Sequence, residues 1–252
     1  MNDAIFETTS GSETAGGSQP EQLSVIAGDA QPEQGFLDRV EAFVKRSLDV
    51  LMASILLALC LPLFALVAVA IWADSGLPVL FRATRLGKDG RVFTMYKFRT
   101  MVRDAPALLS EYAHLNLAVG MVKIPDDPRV TRAGRWLRAF SVDELPQLWN
   151  VLRGDMSLVG PRPHDVGELS LSDSAHRLRL SVRPGLTGLW QVTARNDPLM
   201  STRVHHDLTY VQNWSLWTDA KIVARTVPVV LRGSGGRARP TESSLLQEHG
   251  SQ

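Results

Sequence analysis

An adjacent pair of carboxylates, Asp143 and Glu144, follows directly on the basic and aromatic run RAGRWLRAF, which brings Arg132, Arg135 and Arg138 close to them in sequence. Paired carboxylate oxygens can hold a divalent cation such as Mg2+, and guanidinium groups can grip phosphate. Downstream, Leu145, Leu148, Trp149 and Leu152 recur at helical spacing, so the acidic pair lies at or near a helix start, where backbone N–H groups and the helix dipole favour anions. Farther on, GDMSLVGPRP (Gly154 to Pro163) holds Arg162 between Pro161 and Pro163. The two prolines fix the backbone, so this arginine loses less entropy when it grips a phosphate. Carboxylates, cations and a helix start together suit phosphoryl chemistry. The same residues also permit a purely structural reading. Ser141 with Glu144 makes a capping box, Asp143 can itself be an N-cap, and Arg162 can sit on a surface turn.

Two further cations stand in YKFRTM, where Lys97 and Arg99 fall on the same side of an extended segment. They are candidate phosphate ligands or solvated edge charges. The preceding stretch, Pro78 to Phe98, alternates short apolar groups with cations around Lys88-Asp89-Gly90 and predicts a hairpin. Ala105 to Val119 places Leu108, Leu109, Tyr112, Leu115 and Leu117 broadly on one helical face, and Arg129 to Phe140 reads as a second, basic amphipathic helix. Such helices pack on a core or rest at a lipid interface.

The element that must position this chemistry is apolar. Val50 to Ala73 contains no charge and is long enough to cross a bilayer as a helix. Pro62 near its middle removes a helical hydrogen bond, so a kinked spanning helix and a re-entrant one both fit. Arg39, Lys45 and Arg46 precede the segment, and Arg82, Arg85, Lys88, Arg91, Lys97 and Arg99 follow it. Positive charge marks the cytoplasmic side, and both ends carry it, which favours entering and leaving by one face.

Of the 252 residues, 1–35 carry six of the 26 acidic side chains and none of the 27 Lys and Arg, leaving a basic body suited to phosphates. This acidic, Gly- and Ser-rich tail and the polar stretch 233–252 have the composition of disordered segments. The single cysteine, Cys60, excludes an intrachain disulfide and suits a reducing compartment. The basic residues are interleaved with apolar ones rather than gathered in a single-sign stripe, which argues against nucleic acid as a partner. His205 and His206 lack the further spaced ligands of a metal site. No Walker loop, dinucleotide fingerprint, HExxH or GxSxG elbow is present.

Several ordered blocks from about Phe43 to Arg232 resemble the bacterial polyprenyl-phosphate hexose-1-phosphate transferases, monotopic enzymes that initiate surface polysaccharide assembly. The blocks are Lys45-Arg46 with Asp49, KFRTM (Lys97 to Met101), SVDELPQLWNVLRGDMSLVGPRP (Ser141 to Pro163) and RPGLTGLWQVTARND (Arg183 to Asp197). The resemblance implies an α+β, mainly helical fold. A membrane helix broken at Pro62 and re-entrant would occupy residues 36–75. A cytoplasmic catalytic domain with interfacial amphipathic helices and a small β element would occupy 76–232. Leu61 departs from the serine that often precedes the break proline in the family. The resemblance also implies a UDP-hexose donor, an undecaprenyl phosphate acceptor, and a place in the bacterial inner membrane with the site on its cytoplasmic face. Asp143 would be the nucleophile and would share Mg2+ with Glu144. Lys97, Arg99, Arg138, Arg162 and Arg195 would bind phosphate or substrate, and Lys45, Arg46 and Asp49 would mark where the chain enters the membrane. The Leu189-Trp190-Gln191 form resembles members that use UDP-glucose or UDP-galactose. A non-enzymatic membrane scaffold is the alternative class, and a homo-oligomer is left open.

Overall fold

A computed structural model describes residues 32–116, 122, 124–166, 174–197 and 199–233. Residues 1–31, 117–121 and 234–252 fall outside these, and with them most of the disorder expected of 1–35 and 233–252; residues 32–35, expected in the disordered tail, are instead part of a helix. Residues before Phe43 form one unit, described from Pro32 as helix; Phe43 onward forms the body.

Helix α1 (Pro32–Ser75) is the longest element and carries the one described stretch, Arg39–Ser75, that is long and apolar enough to cross a membrane. The helical assignment continues through Pro62, so the expected break is not a gap in the helix; proline acts inside a continuous helix by kinking it. Only one stripe of α1 faces the body. Ala53 and Leu57 pack on one core cluster, whereas Leu63, Phe64, Val67 and Ile71 pack on another. The opposite face, including Leu59, Leu66, Val69 and Trp72, is exposed.

The expected hairpin forms. β1 (Leu80–Leu86) and β2 (Val92–Phe98) pair antiparallel over seven residues, from Leu80 opposite Phe98 to Leu86 opposite Val92. A short third strand, β4 (His164–Asp165), joins the free edge of β1. Alternation along β2 sorts its side chains: Phe98 turns toward α1, whereas Met95 and Lys97 line a cavity on the other side.

α2 (Arg132–Ala139) is the expected basic amphipathic helix, N-capped by Thr131, whose hydroxyl accepts from Gly134 N at 3.0 Å. Gly134 lies so close to strand-following Thr100 that a Cβ would meet the Thr100 carbonyl oxygen at 2.1 Å. A short 3-10 turn (Val142–Glu144) and α3 (Gln147–Arg153) follow, then β3 (Ser157–Val159). α4 (Ser174–Arg179), β5 (Gly185–Thr187), α5 (Leu189–Thr193), α6 (Met200–Gln212) and α7 (Leu216–Leu231) complete the described order. β5 pairs parallel with β3. Ala105 to Asn116 does not form the expected amphipathic helix. Two one-turn 3-10 segments, Ala107–Leu109 and Ala113–Leu115, stand there instead. Leu108 and Leu109 are half-buried and Leu115 is exposed, and helices this short owe their stability to packing.

The Lys45, Arg46 and Asp49 motif docks α1 onto the body. Arg46 donates to the carbonyls of Val151 and Leu152 at 2.7 and 3.0 Å, closing the C-terminal end of α3. Asp49 accepts from Ser157 Oγ at 2.8 Å and Leu158 N at 3.1 Å. Lys45 pairs with Asp219 of α7. At the far end of α1, Arg99 Nη2 donates to the Ser75 carbonyl and Ser75 Oγ, each at 2.8 Å, and Asp74 accepts from Ala133 N of α2 at 3.0 Å.

Candidate active site

Chain reversal after α2 builds the site. Ser141 takes a left-handed conformation (φ 57°), which swings the acidic turn back beside α2 so that Arg138, Asp143 and Glu144 converge. No capping box forms: in this conformation the Ser141 side chain caps nothing, and its Oγ accepts from Arg195 Nη2 at 3.0 Å. Neither Ser141 nor Asp143 caps α3, whose N-cap is Pro146.

The proline-flanked loop is held by backbone packing. A Cβ on Gly160 would meet the Arg183 carbonyl oxygen at 2.5 Å, and one on Gly185 would meet Gly160 N at 2.1 Å. Only glycine permits that approach. The loop therefore presents Arg162 to the acidic turn, where Nη2 and Nη1 donate to Glu144 Oε1 and Oε2 at 2.9 and 3.2 Å. Lys97 Nζ reaches the same Oε1 at 3.3 Å. Arg138 Nε donates to Thr100 Oγ1 at 2.9 Å. Lys97, Arg138, Arg162 and Arg195 share the lining of a cavity of about 420 Å³ with Gln147, Trp190 and Gln191.

The two carboxylates are unlike. Both oxygens of Glu144 accept hydrogen bonds, Oε1 from Arg162 and Lys97 and Oε2 from Arg162 alone, which leaves Oε2 a lone pair for the cation that the sequence reading assigned to it. Asp143, 8% exposed, accepts no hydrogen bond and joins no ion pair with another described residue. Burial, followed by the adjacent Glu144 charge, pushes the Asp143 carboxyl up to about 6. Burial also opposes ionisation of Glu144, but Arg162 and Lys97 outweigh it and hold Glu144 well below the usual carboxylate range. Environments that drive two neighbouring carboxylates apart in this way separate a permanently charged partner from a basic, reactive one.

A family model for the bacterial sugar transferases matches residues 40–233, the whole described body. The chain belongs to the bacterial sugar transferase family. It is 45% identical over 208 residues to the exopolysaccharide production protein ExoY of Rhizobium meliloti, covering 81% of this chain and 92% of that protein. It is 48% identical over 197 residues to a UDP-glucose:undecaprenyl-phosphate glucose-1-phosphate transferase of Caulobacter vibrioides, covering 74% and 69%. Identity with an undecaprenyl-phosphate galactose phosphotransferase of Salmonella typhimurium is 41% over 203 residues, 78% of this chain and 42% of the relative.

In this sugar transferase, Lys97, Arg138, Asp143, Glu144, Arg162 and Arg195 come together around the acidic turn. Arg99 does not join them. It lies just beyond the end of β2, where strand alternation no longer sets its direction, and its guanidinium closes the C-terminal carbonyls of α1. Lys45, Arg46, Asp49 and Pro62 belong to α1 and its docking contacts. Sequence reading passed over several cavity residues, among them Asp127 and Arg129, which form a buried pair at 2.7 Å, Gln147, and Arg203, which lies 5.4 Å from the Trp190 ring centre. Asp127 lay outside every motif singled out in the sequence. Gln147 was hidden within an apolar helical stripe.

Proposed function

We infer that this transferase moves hexose 1-phosphate, glucose or galactose, from a UDP-hexose to undecaprenyl phosphate, releasing UMP as the first step of exopolysaccharide or related surface glycan assembly. The observation that carries the mechanism is the contrast between Glu144, hydrogen-bonded on both oxygens, and Asp143, which has no hydrogen-bond partner among the described residues, beside a cation-lined cavity. The names of the relatives support the donor and the acceptor.

A diphosphate repels an attacking anion, so its charge must be neutralised first. Arg138, Arg162, Arg195 and Lys97 supply fixed positive charge on the cavity wall, with Glu144 orienting Lys97 and Arg162 toward it. The Asp143 carboxylate attacks the hexose-linked phosphorus. Its Oδ–P bond forms as the bridging P–O bond breaks, and the electron pair leaves on the phosphate of UMP. An oxygen of the acceptor lipid phosphate then attacks the same phosphorus, which frees Asp143 and yields the lipid diphosphate hexose. Splitting the transfer in two gives a carboxylate a nucleophile's role.

Among the described residues, no group of three or more His, Cys, Asp or Glu gathers to cage a metal. Magnesium needs no such cage, because it commonly rests on one or two carboxylates and the substrate's phosphates. The unpaired oxygens of Asp143 fit that donor set. A bound Mg2+ would neutralise diphosphate charge.

The structure also supports a re-entrant course for α1 and a cytoplasmic site. One folded body grips the helix at Lys45, Arg46 and Asp49 and again at Asp74 and Ser75. A polar body cannot straddle the hydrocarbon layer, so both ends emerge on one face, as the basic flanks require. The outward apolar face of α1 then lies in lipid, and half-exposed Trp136 and Trp149 sit at the interface.

The test is UMP release from UDP-glucose and UDP-galactose by the full chain in detergent, with and without Mg2+ and undecaprenyl phosphate. Multiple turnover requires the metal and the lipid, and Asp143→Asn lowers it by about 10⁴-fold or more. Turnover retained in the variant removes Asp143 as nucleophile. No release from any UDP-sugar removes the reading.

A further inference from the structure

α3 carries two buried carboxamides in nearly consecutive positions, and they are treated very differently. Asn150 is fully buried and fully used: its Oδ1 accepts from Tyr96 N at 3.1 Å, and its Nδ2 donates to the Thr94 carbonyl at 2.7 Å and to Asp155 at 3.3 Å. It locks α3 to β2. Gln147, 2% exposed at the first position of α3, has an Nε2 with no hydrogen-bond partner, although it lines the cavity with Lys97, Arg138 and Arg162. A buried donor left unpaired is costly and uncommon, so such a group calls for a reason.

Its position supplies one. The chain runs from the acidic turn into α3 as successive helical turns, with Leu145 N bonded to the Val142 carbonyl and Leu148 N to the Leu145 carbonyl. Gln147 follows Asp143 by four residues, through the 3-10 turn and into the first position of α3, and it lines the cavity together with Lys97, Arg138 and Arg162, the cations that would hold the phosphoryl group under attack.

We propose that Gln147 is a further catalytic residue, whose Nε2–H donates to a non-bridging oxygen of the hexose-linked phosphoryl group as Asp143 attacks it. The inference rests on the transferase reading above. Lys97 and Arg162 reach Glu144 as well as the cavity, whereas the Gln147 amide has no competing protein partner. Being neutral, it leaves the charge of Asp143 unpaired. A fixed, uncharged donor aimed where charge develops needs no reorganisation during the reaction.

The experiment compares wild type with Gln147→Met, which keeps length and bulk but has no donor. The readouts are single-turnover UMP release from UDP-glucose and UDP-galactose, UMP affinity and thermal midpoint. The expected result is a loss of about 10²–10³-fold in kcat for every accepted hexose, with KM, UMP affinity and midpoint little changed. A raised KM at unchanged kcat, or full activity, overturns the proposal. So does a loss that differs tenfold between hexoses, because the contact is then with the sugar. Should Gln147→Met unfold, Gln147→Glu carries the test with the original shape. An ionised carboxylate cannot donate and repels the phosphate, so wild-type activity in that variant overturns the proposal too. A wild type that releases no UMP defeats the transferase reading itself, whereas an active wild type beside an unimpaired Gln147→Met defeats this inference alone.

Discussion

Two charged clusters in this molecule use the same residue types for opposite ends. At the dock of α1, Lys45 pairs with Asp219, which also accepts from Tyr210 Oη at 2.8 Å and Trp214 Nε1 at 3.3 Å, while Asp49 is filled by Ser157 and Leu158. Each carboxylate there is satisfied on both oxygens. At the acidic turn, Glu144 accepts on both oxygens, but Asp143 is buried beside it without a hydrogen-bond partner among the described residues, and the buried Nε2 of cavity-lining Gln147 also has none. The difference teaches how to tell a joint from a reactive centre: a buried polar cluster that closes on itself holds parts together, and one that leaves groups open is waiting for a ligand.

The comparison breaks first under Arg162→Met. Removing the bidentate partner frees Glu144 and strips a phosphate ligand, so kcat/KM for UMP release falls by about 10²–10³-fold. The same measurement on Tyr210→Phe, at the dock, shows little change per folded molecule. Next in size is the pH profile. In the proposed mechanism Asp143 must be ionised to attack, so single-turnover UMP release is expected to fall about tenfold per pH unit below an apparent value near 6. An acid limb near 4 instead would place Asp143 in an ordinary environment.

Stability sharpens the contrast further. The folded-state value of Asp143 is raised, so its protonated form favours the fold at low pH, and that contribution is lost as pH rises through about 6. Asp143→Asn is neutral at every pH. In denaturant titration it is therefore more stable than wild type at pH 7.5, by as much as about 3 kcal/mol, with the gap closing toward pH 4. At the dock the sign reverses. Asp49→Ala leaves Ser157 Oγ and Leu158 N without their acceptor and destabilises by about 1–3 kcal/mol in denaturant titration. Tyr210→Phe has the smallest effect, about 1 kcal/mol.

Much of this arrangement was legible in the chain. The hairpin announced itself through the Lys88-Asp89-Gly90 turn between alternating strands, α2 through its basic amphipathic period, and the centre through Asp143, Glu144 and Arg162. What escaped depended on contacts far apart in sequence. The left-handed turn at Ser141 cancelled a capping box that looked sound locally. Arg99 was drawn to the end of α1 by carbonyls over twenty residues away. The leucines of Ala105 to Asn116 had helical spacing, yet none of the three is fully buried and the segment closes only single 3-10 turns. Gln147 is ordinary as a letter, and only its unpaired amide beside the cavity sets it apart from Asn150.

The central claim is that Asp143 becomes phosphorylated by the sugar phosphate, and the most direct test is intact-protein mass spectrometry of the enzyme given UDP-glucose or UDP-galactose without acceptor lipid. The account predicts an adduct of one hexose phosphate, located on the peptide bearing Asp143, absent from Asp143→Asn and removed when undecaprenyl phosphate is added. UMP release with no adduct under rapid acid quench, or an adduct on any other residue, would contradict it.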